Sequence, residues 1–204
     1  MNIWVFSKYT TIPGFDYLPS RWFYLSKNLV RNHNLKCTIF IGDNNHLSTV
    51  KTYTNKEIVK DSVIFKIIKS LSYSKTGSPR RVISWFYWEM QLLKCWIKEK
   101  KKPDIVICSS LSLLSILNGL LLKLFFRTKL VFEIRDIWPL TLTEEGNLSK
   151  YHPLVLILGL LEKLGISFSD LIVGTMPGLE AHIKTRVKAH PKVITSPIGV
   201  DDLS

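Results

Sequence analysis

The chain lacks the short glycine motifs that announce nucleotide chemistry. Neither G-x-G-x-x-G nor G-x-x-x-x-G-K-[ST] occurs, so no dinucleotide fingerprint and no P-loop is expected. No G-x-S-x-G elbow appears, which removes the usual serine-hydrolase signature. There is no D-x-D pair for a metal–diphosphate site; Asp201 and Asp202 are adjacent. His33, His46, His152, His182 and His190 are scattered, and none stands at a zinc spacing from a cysteine, so no metal site is expected. Cysteine is scarce: Cys37, Cys95 and Cys108 are widely spaced, each in or beside an apolar segment. They read as reduced core residues, in keeping with a cytoplasmic setting. No secretory leader is expected either, because the apolar run after Met1 is short and has no basic start. These absences leave chemistry carried by a cleft between domains, or plain binding.

Acidic residues are also few. Sixteen of them face 28 lysines and arginines, a net charge of +12, which favours an anionic partner. Nucleic acid, acidic lipid and phosphorylated substrates all fit by charge, but no RNA- or DNA-binding motif appears, so nucleic acid is not the expected partner. With 46% hydrophobic and 22% charged residues, the 204 positions suit a single globular α/β domain spanning 1–204. Long hydrophobic runs are interrupted. Ile105 to Phe126 carries Lys123 as its one charge, yet four serines and Asn118 break it. It reads as a buried strand (104–108) entering a buried helix (110–126), not a membrane span.

What is present is alternation. Strand-like runs recur at 2–6, 36–41, 62–68, 104–108, 129–134, 170–174 and 192–195. Helical periodicity lies between most of them, at 18–32, 79–100, 110–126, 151–168 and 177–187. That order predicts a doubly wound, mostly parallel Rossmann-like sheet with helices on both faces. The first helix shows Trp22, Leu25 and Leu29 at helical spacing, with Pro19 in its first turn. The polar region 43–60 gives at most a short irregular strand, and Tyr73 to Pro79 reads as a flexible loop.

The helix at 79–100 is apolar on two sides. Ile83, Phe86, Met90, Leu93 and Ile97 form the expected core face. A second stripe, Trp85, Trp88, Leu92 and Trp96, lies roughly 130° round the helix. Eight basic residues between Lys75 and Lys102 oppose only Glu89 and Glu99. The second stripe is therefore either buried by a neighbouring element or set against an acidic bilayer, with Arg80, Arg81, Trp85, Trp88, Trp96 and Lys98 facing the membrane.

The segment Lys129 to Pro139 carries the clearest chemical signal. An apolar strand ends in Glu133, Arg135 and Asp136. In open parallel sheets ligands gather just beyond the carboxyl ends of the strands, and charge there must be paired or solvated by a cleft. Glu133 and Arg135, two apart on one strand, are either a structural ion pair or cleft-lining groups.

Three segments in order resemble one family: Pro103-Asp-Ile-Val-Ile-Cys-Ser-Ser-Leu-Ser-Leu-Leu, Phe132-Glu-Ile-Arg-Asp-Ile-Trp-Pro139, and Ser169-Asp-Leu-Ile-Val-Gly-Thr-Met-Pro-Gly-Leu with Ile194-Thr-Ser-Pro-Ile-Gly-Val-Asp201. Together they are similar to the N-terminal domain of GT-B retaining glycosyltransferases of family 4, nearest the WbuB-like enzymes of O-antigen and capsule assembly. The resemblance implies half of a GT-B fold whose C-terminal, nucleotide-sugar-binding domain is missing. It also implies a lipid-linked sugar acceptor and a peripheral place on the acidic inner face of the cytoplasmic membrane. No cofactor is implied beyond the nucleotide-sugar donor as co-substrate. No two glutamates stand eight positions apart, so the donor domain's E-x7-E is absent, and transfer by this chain alone is not expected. By resemblance Arg135 and Asp136 are the catalytic pair, with Glu133 bracing Arg135. Gly14, Arg21, Ser109, Ser110, Glu133 and Trp138 are the substrate-binding candidates, although helix capping accounts for the serines more simply. The chain departs from the family at Gly14, which stands where a glycine pair is usual, at Leu140 (usually glutamate) and at Ile198 (usually asparagine).

Overall fold

The computed structural model describes residues 1–15, 20–45, 53, 56–73, 79–144 and 146–197. Pro19, most of the Tyr73–Pro79 loop, Ile198 and the Gly199-Val200-Asp201 stretch lie outside the described residues.

Among the described residues eight strands form one sheet: β1 (Asn2–Phe6), β2 (Lys36–Gly42), β3 (Glu57–Lys60), β4 (Val63–Ile68), β5 (Ile105–Ser109), β6 (Lys129–Ile134), β7 (Leu171–Gly174) and β8 (Val193–Thr195). Their order is β3-β4-β2-β1-β5-β6-β7-β8. Every neighbouring pair is parallel except β3 with β4, an antiparallel hairpin at one edge. The seven expected strands are all present. The eighth, β3, arises within the ambiguous polar region; three of its four residues are exposed, so no apolar alternation marks it.

The helices are α1 (Arg21–His33), α2 (Pro79–Ile97), α3 (Ser115–Phe126), α4 (Leu140–Glu144), α5 (Pro153–Phe168) and α6 (Leu179–Arg186). The expected helix at 110–126 begins as a 3-10 turn, Ser110–Ser112, before α3 proper. Ser20 caps α1, its hydroxyl accepting from the Phe23 N–H.

Alternation along the strands divides the core in two. On one face Ile3, Val5, Ile39, Ile41 and Phe65 pack with Trp22 and Phe23 of α1. On the other, Trp4, Phe6, Phe40, Val106, Leu130 and Phe132 pack beneath α2, α3, α5 and α6. Strand order reverses at β1, which pairs with β2 on one side and β5 on the other. That switch point opens a crevice beyond the strand ends.

The structure overturns the expected orientation of α2. Trp88, Leu92 and Trp96 are buried against the sheet and Trp85 is half-buried, whereas Ile83, Phe86, Met90 and Ile97 are exposed. Burial therefore removes Trp88 and Trp96 from any membrane-facing role. Indole area is the physical reason: the gap over Trp4, Phe6 and Phe40 needs large side chains. Two of the indoles also find polar partners inside, Trp96 Nε1 on Asn118 Oδ1 at 2.7 Å and Trp85 Nε1 on the Tyr9 hydroxyl at 2.8 Å. Of the basic residues set beside them, Arg80 and Lys98 are exposed, while Arg81 is half-buried with its guanidinium over the Trp85 ring at 5.4 Å.

Candidate functional site

At the C-terminal end of β6, Glu133 sits opposite Ser109 of β5 and beside Val173 of β7. Its carboxylate is fully buried and accepts three hydrogen bonds: from Arg21 Nε at 3.0 Å, Trp22 Nε1 at 2.8 Å and Ser109 Oγ at 2.7 Å. Three donors and a buried counter-charge offset the desolvation of the carboxylate. Glu133 therefore braces Arg21, not Arg135. β6 ends at Ile134, so strand alternation no longer sets the direction of Arg135.

Arg21 continues this clamp. Its Nη1 donates to the Pro197 carbonyl at 2.9 Å, and Nη2 to the carbonyl and hydroxyl of Ser196, both at 3.1 Å. One residue thus ties the start of α1 to β6 and to the segment after β8. Four of its five N–H groups are held by the protein, so Arg21 is foremost a structural clamp. Ser109 likewise points at Glu133 and makes no cap to the turn that follows.

Ser110 has a different task. Its buried Oγ accepts from the Arg135 N–H at 2.9 Å and the Asp136 N–H at 3.1 Å, fixing the turn that presents both side chains. Both residues are half-buried at the mouth of the crevice. The Arg135 guanidinium makes no hydrogen bond or ion pair with the described residues. Gly14 adopts φ +89°, which glycine tolerates and other residues resist, and is exposed; a Cβ there would stand 3.7 Å from Lys60 Nζ.

Beside this turn is a recess of about 320 Å³, a figure that includes space open to solvent. Trp85 and Trp138 form part of its wall, ring centroids 6.1 Å apart and nearly perpendicular. Ser110 joins it to the Arg135–Asp136 turn. The Trp138 Nε1 is buried without a hydrogen-bond partner among the described residues.

Two charged groups line the recess that sequence reasoning missed, Lys8 and Glu89. Lys8 Nζ donates to the Ser84 carbonyl at 3.1 Å and hydroxyl at 2.8 Å. Burial lowers its pKa to about 8, against the opposing pull of Glu89. Burial pushes the Glu89 carboxyl up to about 8, although the Asn118 amide, donating to Oε2 at 2.7 Å, and Lys8 both favour the anion. The signal for Lys8 was the one used for β6: a polar, charged ending, Ser7-Lys8, on an apolar strand. Glu89 falls on the tryptophan side of α2, opposite to the stripe expected to be core. Among the described residues no group of three His, Cys, Asp or Glu gathers as a metal site would require.

The crevice thus combines an arginine without a partner among the described residues, a carboxylate on the same turn, and an aromatic-walled recess lined by a titratable carboxyl. Such a set can pair with anionic oxygen and hold a polar hydroxyl. No protein-family model matches the sequence, and no curated protein matches it significantly. Solved structures do match in fold. Sucrose-phosphate synthase from Thermosynechococcus elongatus superposes with a TM-score of 0.70 at 12% identity, over 98% of this chain and 48% of that one. The fold is Rossmann-like, as in the GT-B glycosyltransferases. The N-terminal domain of Candida albicans trehalose-6-phosphate phosphatase gives 0.59 at 14% identity, covering 98% of this chain and 48% of the other. TcCGT1 in complex with UDP gives 0.54 at 12%, covering 97% and 50%. The chain spans about half the length of each of these structures.

Proposed function

We propose that this glycosyltransferase-like module is the acceptor-binding half of a retaining, family 4-type transferase of the WbuB-like kind. In this reading it adds a sugar from a nucleotide-sugar donor to a lipid-linked or polysaccharide acceptor during O-antigen or capsule synthesis. One observation carries the reading: Arg135 and Asp136 are held on a Ser110-anchored turn at the strand ends, beside a recess walled by Trp85 and Trp138. A separate donor-binding domain closes the crevice, and the chain alone does not transfer sugar.

The chemistry follows from charge. The donor diphosphate departs from the face that the acceptor hydroxyl attacks and takes that hydroxyl's proton as the new C–O bond forms, so configuration is retained. Arg135 neutralises anionic oxygen as the bond breaks, a form of stabilisation that is strongest in a water-poor crevice. Asp136 orients a sugar hydroxyl, and the indoles of Trp85 and Trp138 offer apolar faces to the ring. No metal is assigned a step.

The test is binding to this chain, followed by transfer in the complete enzyme. A short-chain polyprenyl-diphosphate sugar should show saturation-transfer contacts with the chain, whereas UDP- and GDP-sugars should not. Tight nucleotide-sugar binding without acceptor binding would reverse the assignment of halves. In the complete enzyme Asp136→Ala should lower the transfer rate more than about ten-fold; an undiminished rate would remove Asp136 from the mechanism.

A further inference from the structure

α2, α3 and α5 lie side by side on one face of the sheet, their inner residues sharing one core. Their outer sides are not the polar surfaces that solvent-facing helices present. On α2, Ile83, Phe86, Met90 and Ile97 are 58%, 45%, 52% and 57% exposed. Leu124 and Phe125 on α3 are exposed, and so are Leu156 and Leu160 on α5. At roughly 100° per residue, the α2 and α5 sets and Leu124 fall on the side of the helix opposite the buried residues, and Phe125 lies at its flank. Exposed apolar side chains on three adjacent helices are the mark of an interaction surface.

Charge on the same surface has one sign. The three helices contain two carboxylates, Glu89 and Glu162, and both are buried. Their exposed charges are Arg80 and Lys94 on α2 and Lys163 on α5, with Lys98 immediately after α2. Among the described residues no helix is long and apolar enough to cross a bilayer. Apolar side chains set among cations, on helices whose other side is committed to a core, suit shallow insertion between anionic headgroups.

We propose that the outer face of α2, α3 and α5 docks on an acidic lipid bilayer, with the aliphatic side chains and Phe86 entering the interface and the lysines meeting lipid phosphate. The tryptophans of α2 take no part. This stands on exposure and charge alone, independently of the transferase reading. In the two together, docking holds the chain where a lipid-linked acceptor resides.

The test is co-sedimentation of the full chain with vesicles of phosphatidylcholine containing phosphatidylglycerol, against phosphatidylcholine alone. Binding should be at least ten-fold stronger to the anionic vesicles and weaken with salt, each cation contributing on the order of five-fold. Phe86→Glu with Leu160→Glu should abolish it, and Lys94→Glu with Lys98→Glu should reduce it more than ten-fold. All four sites are exposed, and unchanged thermal unfolding would verify that the variants fold. Undiminished binding by folded variants would overturn the proposal, as would equal affinity for both vesicles. A dimer broken by the Phe86 and Leu160 changes, in a protein that ignores vesicles, would give the face to a second copy instead.

Discussion

Glu133 shows how far a local pairing rule can mislead. Its spacing from Arg135 suggests a pair along one strand, yet the carboxylate meets Arg21 and Trp22, more than a hundred positions earlier in the chain. No periodicity in the sequence reports such a contact. The arginine and aspartate that follow were legible because charge at the end of an apolar strand has few bland explanations. Ser110 as the anchor of their turn was not, since a serine at a strand end is equally a helix cap. Truncating Glu133 leaves a nearly buried guanidinium, an indole N–H and a hydroxyl without their acceptor. Glu133→Ala should therefore cost about 3–5 kcal/mol in urea unfolding. Ser196→Ala removes one of Arg21's acceptors while the neighbouring carbonyls remain, so it should cost about 1 kcal/mol or less. Equal costs for the two would show that Glu133 is not the centre of the clamp.

At the scale of the element, α2 decides between two apolar stripes that sequence could not rank. Both have helical spacing, and helical amphipathicity loses its meaning when two sides are apolar. What separates them is volume and polar satisfaction at the far side of the contact. The sheet beneath supplies Trp4, Phe6 and Phe40, while α3 supplies Asn118 to both Trp96 and Glu89. None of those partners is visible from within residues 79–97. The expected consequence is an asymmetry between neighbouring stripes. Trp88→Ala opens a cavity in the core and should cost about 3–5 kcal/mol. Met90→Ala, on the exposed stripe, should change stability by no more than about 0.5 kcal/mol. Thermal or urea unfolding of the two variants measures the difference, and a larger loss for Met90 would return α2 to the orientation expected from sequence.

Across the whole molecule, the sheet was legible because each parallel strand is a nearly continuous apolar run and most are separated by a helix. The buried charges that join its layers were not, since each depends on elements far apart in sequence: Lys8 after β1 near Glu89 on α2, and Arg186 of α6 on Glu162 of α5 at 3.0 Å. These groups set how global stability responds to pH. The folded chain holds the Glu89 proton up to about pH 8, whereas the unfolded carboxyl releases it near 4.5. Between those values the native state binds more protons, so stability is fullest below pH 4.5 and falls as pH rises to 8. Lys8 acts in the opposite sense. Its folded pKa of about 8 lies below the unfolded 10.5, so between those values the unfolded chain holds the extra proton and stability recovers. The contributions of these two groups together are smallest near pH 8. Glu89→Gln keeps an acceptor for Asn118 and removes the falling limb. Its stability relative to wild type should therefore increase from pH 5 to pH 8, by on the order of 2–4 kcal/mol, in denaturant titrations. A difference that stays constant over that range would mean the Glu89 carboxyl does not hold its proton in the folded core.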